Sequence, residues 1–549
     1  MHHHSPLKGY ILKLKNVYYL SNLNSCDKLI QMSKKASVRK TVNTKEPTVG
    51  GKTPKNAGNP KQQAGGNKNV GNSILKNRTI MVTPKSDMLQ DIGLQRSIPS
   101  AYSAGDYGEI EELPPLSSVT EDHFNESFRR KLIQCRIICN FADAMSDLKS
   151  KSMKQTYLQE IVDHISQPRF FRLLDSESFK VLFTMVKCNI VRAMPPIPPL
   201  AKVPMIGDDI NDTIYESSWP HLELVYQIFQ KFLESSLLDT SSLVQYVDQS
   251  FIAQFLLLFN TSDQRERDSL KMVLHRLYLK FVQQRPAIRQ AIQHIFYTYI
   301  YETRYFSGIN ELLEIMISII NGYAVPLKQE HKDFLIKILI PLHTSYFLHL
   351  FHSNLFFCVM QYIQKDSSLI PVVLREFMKI WPVSCSLKEL IFITEISKII
   401  ELMTEEQFKE LMVDLFHKVG KCITSNNFQV SEAGMLLWKN DRFVQYTTTY
   451  AKQLFPIICP YLYKTGTNHW NAAIKNLAVS VIRICMETVP DVFEAFSKSM
   501  KAQEQNELQK ILSKKDTWKM VFVNAQSRDS NLKPVNSPAI LDVVYPSGK

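Results

Sequence analysis

For roughly 400 residues, from near Asp122 to about Phe522, apolar residues recur every three or four positions and almost never every second one. That spacing predicts amphipathic helices, each burying one face. Apolar-periodic stretches fall at 128–143, 158–164, 179–193, 222–233, 243–259, 270–282, 288–301 and 309–320, and more follow. Breakers separate them: Pro195 to Pro199, Pro220, Pro286, Gly322, Pro326, Pro341, Pro371, Pro382, Pro456 and Pro460. So long an unbroken row of helical hairpins, with no linker, predicts an all-α solenoid rather than several globules. Units of about 40–47 residues would make about eight repeats. Periodicity alone leaves HEAT units and other α-solenoids open.

The flanks differ in texture. Residues 1–121 alternate Lys, Asn, Gly, Pro, Gln and Ser with few apolar clusters, and are expected to be a disordered basic tail ahead of a solenoid at 122–522. Residues 523–549 are expected to be a short disordered tail. Residues 1–100 carry 17 Lys/Arg against 4 Asp/Glu, which accounts for the whole formal charge of +13. The rest of the chain is balanced, 48 against 48. Basicity therefore belongs to the tail and predicts no nucleic-acid surface on the folded part. Lys34, Lys35, Arg39 and Lys40 surround Ser37; a solvated tail is the preferred reading over an import signal or a kinase site. Met1 to His4 read either as a tag scar or as part of an extension before Met32.

Nine cysteines lack any CxxC pairing, which points to the cytoplasm and nucleus. Cys135 and Cys139, four apart, are expected on one helical face as core residues. Residues 338–363 contain no Asp, Glu, Lys or Arg, long enough to span a bilayer. Pro341, His343 and Asn354 within them favour two buried helices with a polar turn near 343–346 or 352–354, and no membrane span.

No phosphate-binding loop, G-x-S-x-G or H-E-x-x-H occurs, and no cofactor or metal is implied. His349 and His352 have no carboxylate close by in sequence and read as packing residues. The informative segment is 259–332. There His275, Tyr278 and Val282 form one helical stripe, with Arg276 beside it and Arg285 in the turn before Pro286. Ile315 and Ile319, four apart, form an apolar stripe one repeat onward, and Lys328 follows in the next turn. Side by side, these would make an apolar slot flanked by cations, suited to an extended peptide with apolar anchors and acidic groups. An ordinary core stripe with solvated basic residues is the alternative on pattern alone.

The same segment resembles the B-prime regulatory subunits of protein phosphatase 2A. LHRLYLKF (274–281), IFYTYIYET (295–303), SIINGYAVPLKQEHK (318–332) and PLH (341–343) carry the likeness. It continues in KLIQC (131–135), SDLKSK (146–151), RAMPP (192–196), WPHLELVY (219–226), KCITSNNFQVSE (421–432) and LYKTGTNHWN (462–471), in order over roughly 125–520. The resemblance implies a HEAT-like solenoid of about eight repeats that does no catalysis. It implies docking on the phosphatase scaffold and catalytic subunits as a heterotrimer. It also implies capture of substrates or adaptors through Leu-x-x-Ile-x-Glu motifs, with the pocket on His275, Arg276, Tyr278, Arg285, Ile315, Ile319 and Lys328.

Three features depart from the family's pattern. Only Asp208, Asp209, Asp212 and Glu216 precede Trp219, Thr344 to Tyr346 follow PLH where the family is basic, and 383–401 is less acidic. These leave the motif pocket intact and bear on partner docking. A transport or scaffolding adaptor without phosphatase is the alternative function for such a solenoid.

Overall fold

The computed structural model describes residues 108–141, 143–167, 170–194, 215–235 and 243–528, with the short strands 97–98 and 102–103. All lie in one compact unit, Gln95–Lys549. Asp208, Asp209, Asp212, Pro195 to Pro199 and the basic cluster around Ser37 lie outside the described residues.

Eighteen helices are named here: α1 Glu121–Gln134, α2 Leu148–Ile165, α3 Ser176–Ile190, α4 Trp219–Glu234, α5 Gln249–Leu257, α6 Gln264–Lys280, α7 Arg285–Thr298, α8 Ile309–Asn321, α9 Gln329–Phe334, α10 Leu348–Lys365, α11 Ile370–Lys379, α12 Ser386–Leu402, α13 Glu405–Ile423, α14 Phe428–Leu436, α15 Asp441–Thr449, α16 Ala451–Asn468, α17 Ala472–Thr488 and α18 Pro490–Arg528. Among the described residues, strands occur only as pairs of two-residue bridges: 97–98 with 215–216, and 102–103 with 192–193.

The helices pack in two layers. One runs α2, α4, α6, α8, α10, α12, and each helix touches the next. The other includes α5 against α7, α11 against α13, and α13 against α16. A single apolar core runs between the layers. Sequence-distant hydrogen bonds fix the repeat length. Arg267 to Glu311, Tyr299 to Ser345, Asn354 to Asn310, Lys388 to Thr344, Asn440 to Ser397 and Trp470 to Asn426 each span 43–46 residues. That is one HEAT-sized unit, so the all-α solenoid expected from periodicity is what forms.

Several local expectations are corrected. α1 ends at Gln134, and Cys139 lies in the irregular chain beyond it, so Cys135 and Cys139 share no helical face. Asn189 Nδ2 donates to the Cys135 carbonyl and Lys154 to that of Ile137, which draws the chain off the helix axis. Both cysteines are buried nonetheless.

Pro456 and Pro460 do not break the chain but lie inside α16. They are four apart on its exposed face, where carbonyls freed by a missing N–H remain hydrated. The charge-free stretch 338–363 resolves into one helical run ending at Leu342, a turn at 343–347, and α10. The 352–354 alternative for the turn lies inside α10. No helix among the described residues is long and apolar enough to cross a membrane.

Ahead of α1, Ile110 and Leu116 are buried, and the Leu113 N–H reaches the Tyr157 hydroxyl at 2.8 Å. Packing therefore begins before residue 122. At the other end α18 runs past 522 to Arg528, because no Gly or Pro interrupts 491–528.

Candidate functional site

The residues singled out for the slot lie on α6 and α8, in the turn after α6, and at the starts of the next helices, Arg285 at the start of α7 and Lys328 at the N-cap of α9. α6 begins at a capped end, where Asp263 accepts the Arg265 N–H. Its neighbour α8 lies alongside in a register fixed by three side-chain contacts. Gln264 and Arg267 reach Glu311 at 3.2 and 3.0 Å, and Lys271 reaches Glu314 at 2.7 Å. That register runs the later turns of α6, which carry His275 and Tyr278, along the later turns of α8, which carry Ile319. The Tyr323 hydroxyl, whose pKa is raised chiefly by burial, also senses Arg289 and Tyr278.

Val282 does not join the stripe. Phe281 is buried and closes α6, and Val282 turns outward in a 3-10 turn with 61% exposure. Arg285 then opens α7, with Pro286 in its first turn. Its Nε donates to the Tyr278 carbonyl at 2.8 Å and its Nη2 to that of Leu279 at 3.2 Å, while its guanidinium stands over the Tyr278 ring at 5.2 Å. Arg285 thus caps α6 and orients Tyr278 together.

That cap is unlike its neighbours. Lys231 reaches back to the end of α2, Lys280 to the end of α4, and Lys365 to the end of α8, each donating to carbonyls one repeat earlier. α8 contains no Lys or Arg, so nothing of the kind bridges from α8 to the end of α6. The α6–α8 seam therefore lacks the lysine strap its neighbours carry.

Ile315 and Ile319 are each 3% exposed and make the floor of this seam rather than open walls. Tyr278 and His275 are half-buried, and Lys328 is exposed at the N-cap of α9. Arg276 does not face the seam unpaired. Its Nε donates at 2.9 Å to Glu234 at the end of α4. Burial opposes ionisation of Glu234, but hydrogen bonds from Arg276 and Gln230 hold its carboxyl below the usual range.

Sequence reasoning missed three participants. Arg289 Nη1 donates to the Tyr278 hydroxyl at 3.3 Å; its position four residues after Arg285, on one face of α7, was the available signal. Tyr323 and His331 stack on each other. Burial lowers the pKa of His331; the neighbouring Glu330 opposes the shift, and Arg289 and Lys328 add to it. Its Nδ1 is buried without a hydrogen-bond partner. Arg285, Arg289, Lys328 and His331 therefore surround one aromatic corner. The remaining side of the site is apolar.

Among the described residues no group of three or more His, Cys, Asp or Glu is arranged to hold a metal. A profile of the family described as "Protein phosphatase 2A regulatory B subunit (B56 family)" matches residues 113–525. The chain belongs to this family. The human alpha isoform of the 56 kDa regulatory subunit of serine/threonine-protein phosphatase 2A is 40% identical over 417 residues, covering 76% of this chain and 85% of that one. The rat beta isoform is 38% identical, covering 73% and 79%. The rabbit (Oryctolagus cuniculus) delta isoform is 36% identical, covering 78% and 72%. As a member of the B56 family, this chain is a regulator of the phosphatase 2A complex and not its catalytic part. The matched span takes in every helix from α1 into α18.

Proposed function

We propose that the α6–α8 seam of this B56 regulator binds extended segments of the form Leu-x-x-Ile-x-Glu. It would thereby bring substrates to the phosphatase catalytic subunit while other surfaces dock on the scaffold and catalytic subunits. The observation that carries this reading is one apolar floor, Ile315 and Ile319, beside an aromatic corner ringed by Arg285, Arg289, Lys328 and His331. Apolar anchors would settle against the floor and Tyr278, and a carboxylate would meet the cationic corner through charge-assisted hydrogen bonds. Because the isoleucines are nearly covered, affinity depends on the rim as much as on the floor. Holding the substrate there raises its effective concentration at the active site without any chemistry by this chain.

A fluorescent motif peptide titrated against the full chain tests the reading. Saturable binding, lost in Arg276→Glu and in Lys328→Glu, is expected. Equal binding by both variants would overturn the assignment of the seam.

A further inference from the structure

α18 is the longest helix among the described residues, and the solenoid holds only its start. It packs on α16 and α17, with the Phe496 ring 6.5 Å from that of Tyr463. Val492 and Phe496 are the last described side chains along the sequence that pack on the core. From residue 501 to Arg528 the helix runs on for about 40 Å, most of its side chains exposed.

That projecting part is not polar. Leu508, Leu512, Trp518, Met520, Val521 and Val523 are each between 47% and 65% exposed. At 3.6 residues per turn, Trp518, Met520, Val521 and Val523 point to four different sides. A helix that is apolar on every side is ordinarily enclosed, and a groove on another protein covers one side only.

Charge changes along α18 at the same place. Residues 490–507 hold two Lys and four Asp or Glu, a net of 2 − 4 = −2. Residues 508–528 hold Lys510, Lys514, Lys515, Lys519 and Arg528 against Asp516 alone, a net of 5 − 1 = +4. Two such helices side by side would set these surplus cations against each other, which disfavours a second copy as the partner. Lysines interleaved with exposed apolar and aromatic residues are instead the composition of a helix that lies in the headgroup layer of a bilayer. Acyl chains close round an apolar turn from several sides, and lysine stems lie along them while the ammonium groups reach phosphate oxygens.

We propose that residues 508–528 of α18 bind the surface of a membrane containing anionic phospholipid. The apolar side chains enter the acyl boundary, and Lys510, Lys514, Lys515 and Lys519 meet the headgroups. The helix lies on the bilayer and does not cross it. The phosphatase complex regulated by this chain is thereby held at a membrane.

The test is flotation of the full chain with vesicles of phosphatidylcholine, alone or mixed with phosphatidylserine, at low and high salt. Residues 1–100 are basic and also attract anionic vesicles, but high salt screens that attraction and leaves apolar insertion. Binding at least about tenfold stronger to the mixed vesicles is expected, part of it surviving high salt. Leu512→Asp/Val521→Asp should reduce the salt-resistant part about tenfold, and Lys510→Glu/Lys514→Glu the low-salt binding by a similar factor. Trp518→Phe should keep binding but diminish the blue shift of tryptophan fluorescence that vesicles produce. Failure to bind either vesicle, or equal high-salt binding by Leu512→Asp/Val521→Asp, would overturn the proposal. So would a dimer that this variant dissociates, which assigns the face to a second copy. A fall in its Tm of more than about 2 °C without lipid would assign the face to a cover within the chain, and overturn it too.

Discussion

Tyr323 and His331 lie face to face, ring centroids 3.7 Å apart and planes within 2° of parallel. The stack closes the turn that carries Lys328 and ties it to the end of α8, so it positions that rim cation. Such ring pairs are worth about 0.5–1.5 kcal/mol beyond their burial. Tyr323→Leu is expected to weaken motif-peptide binding by about three- to tenfold with a small change in Tm, as read by fluorescence anisotropy and by thermal melting.

Arg276 and Glu234 form an ion pair with side chains 35% and 42% exposed. Pairs that open to solvent contribute about 0–1 kcal/mol. Arg276→Glu should therefore leave Tm nearly unchanged while reducing acidic-peptide binding more than about tenfold by charge reversal. Calorimetry on the variant and on Arg276→Glu/Glu234→Arg would separate the local pair from peptide recognition.

Gly308 precedes α8 where that helix passes the backbone of Phe259. A Cβ there would sit 2.6 Å from both the Cβ and the carbonyl oxygen of Phe259. Gly308→Ala is expected to cost about 1–3 kcal/mol and to displace the start of α8. Chemical denaturation would show a lower midpoint at an unchanged slope.

Arg192 and Glu266 meet at 2.6 Å in the core, and the Tyr226 hydroxyl donates to the same carboxylate at 2.9 Å. Arg192→Met strips Glu266 of its main counter-charge and should destabilise by about 3–5 kcal/mol. Equilibrium unfolding in urea measures this directly.

The pH dependence of stability has a definite sign at His221. Its pKa falls from 6.5 to about 4 in the fold, mainly through burial and then through Lys154. The unfolded chain therefore takes up the proton first as pH falls. The stabilisation from the neutral ring is complete above pH 6.5 and is lost between 6.5 and about 4, amounting to about 3 kcal/mol. His221→Gln should flatten the stability curve over that window and leave its more acidic limb, set by carboxylates such as Asp263 and Asp366, unchanged.

The sequence by itself determined the class of fold and the helices on which the candidate residues fall. A three-to-four spacing of apolar residues is a local property, and a helix that must bury one face can do so only against its neighbours, so stacked hairpins follow. His275, Tyr278, Ile315 and Ile319 were legible for the same reason, being periodic along single helices. Tertiary structure alone decided where each helix stops and which charges meet. Val282 left its stripe because burial of Phe281 ends α6 one turn early, and Pro456 and Pro460 stayed helical because their face is wet. Arg276 was taken by Glu234, 42 residues away, and Arg289 reached Tyr278 from another helix. Hydrogen bonds and charge pairing act across space over a few ångströms, and spacing along the chain carries no record of them until the repeats stack.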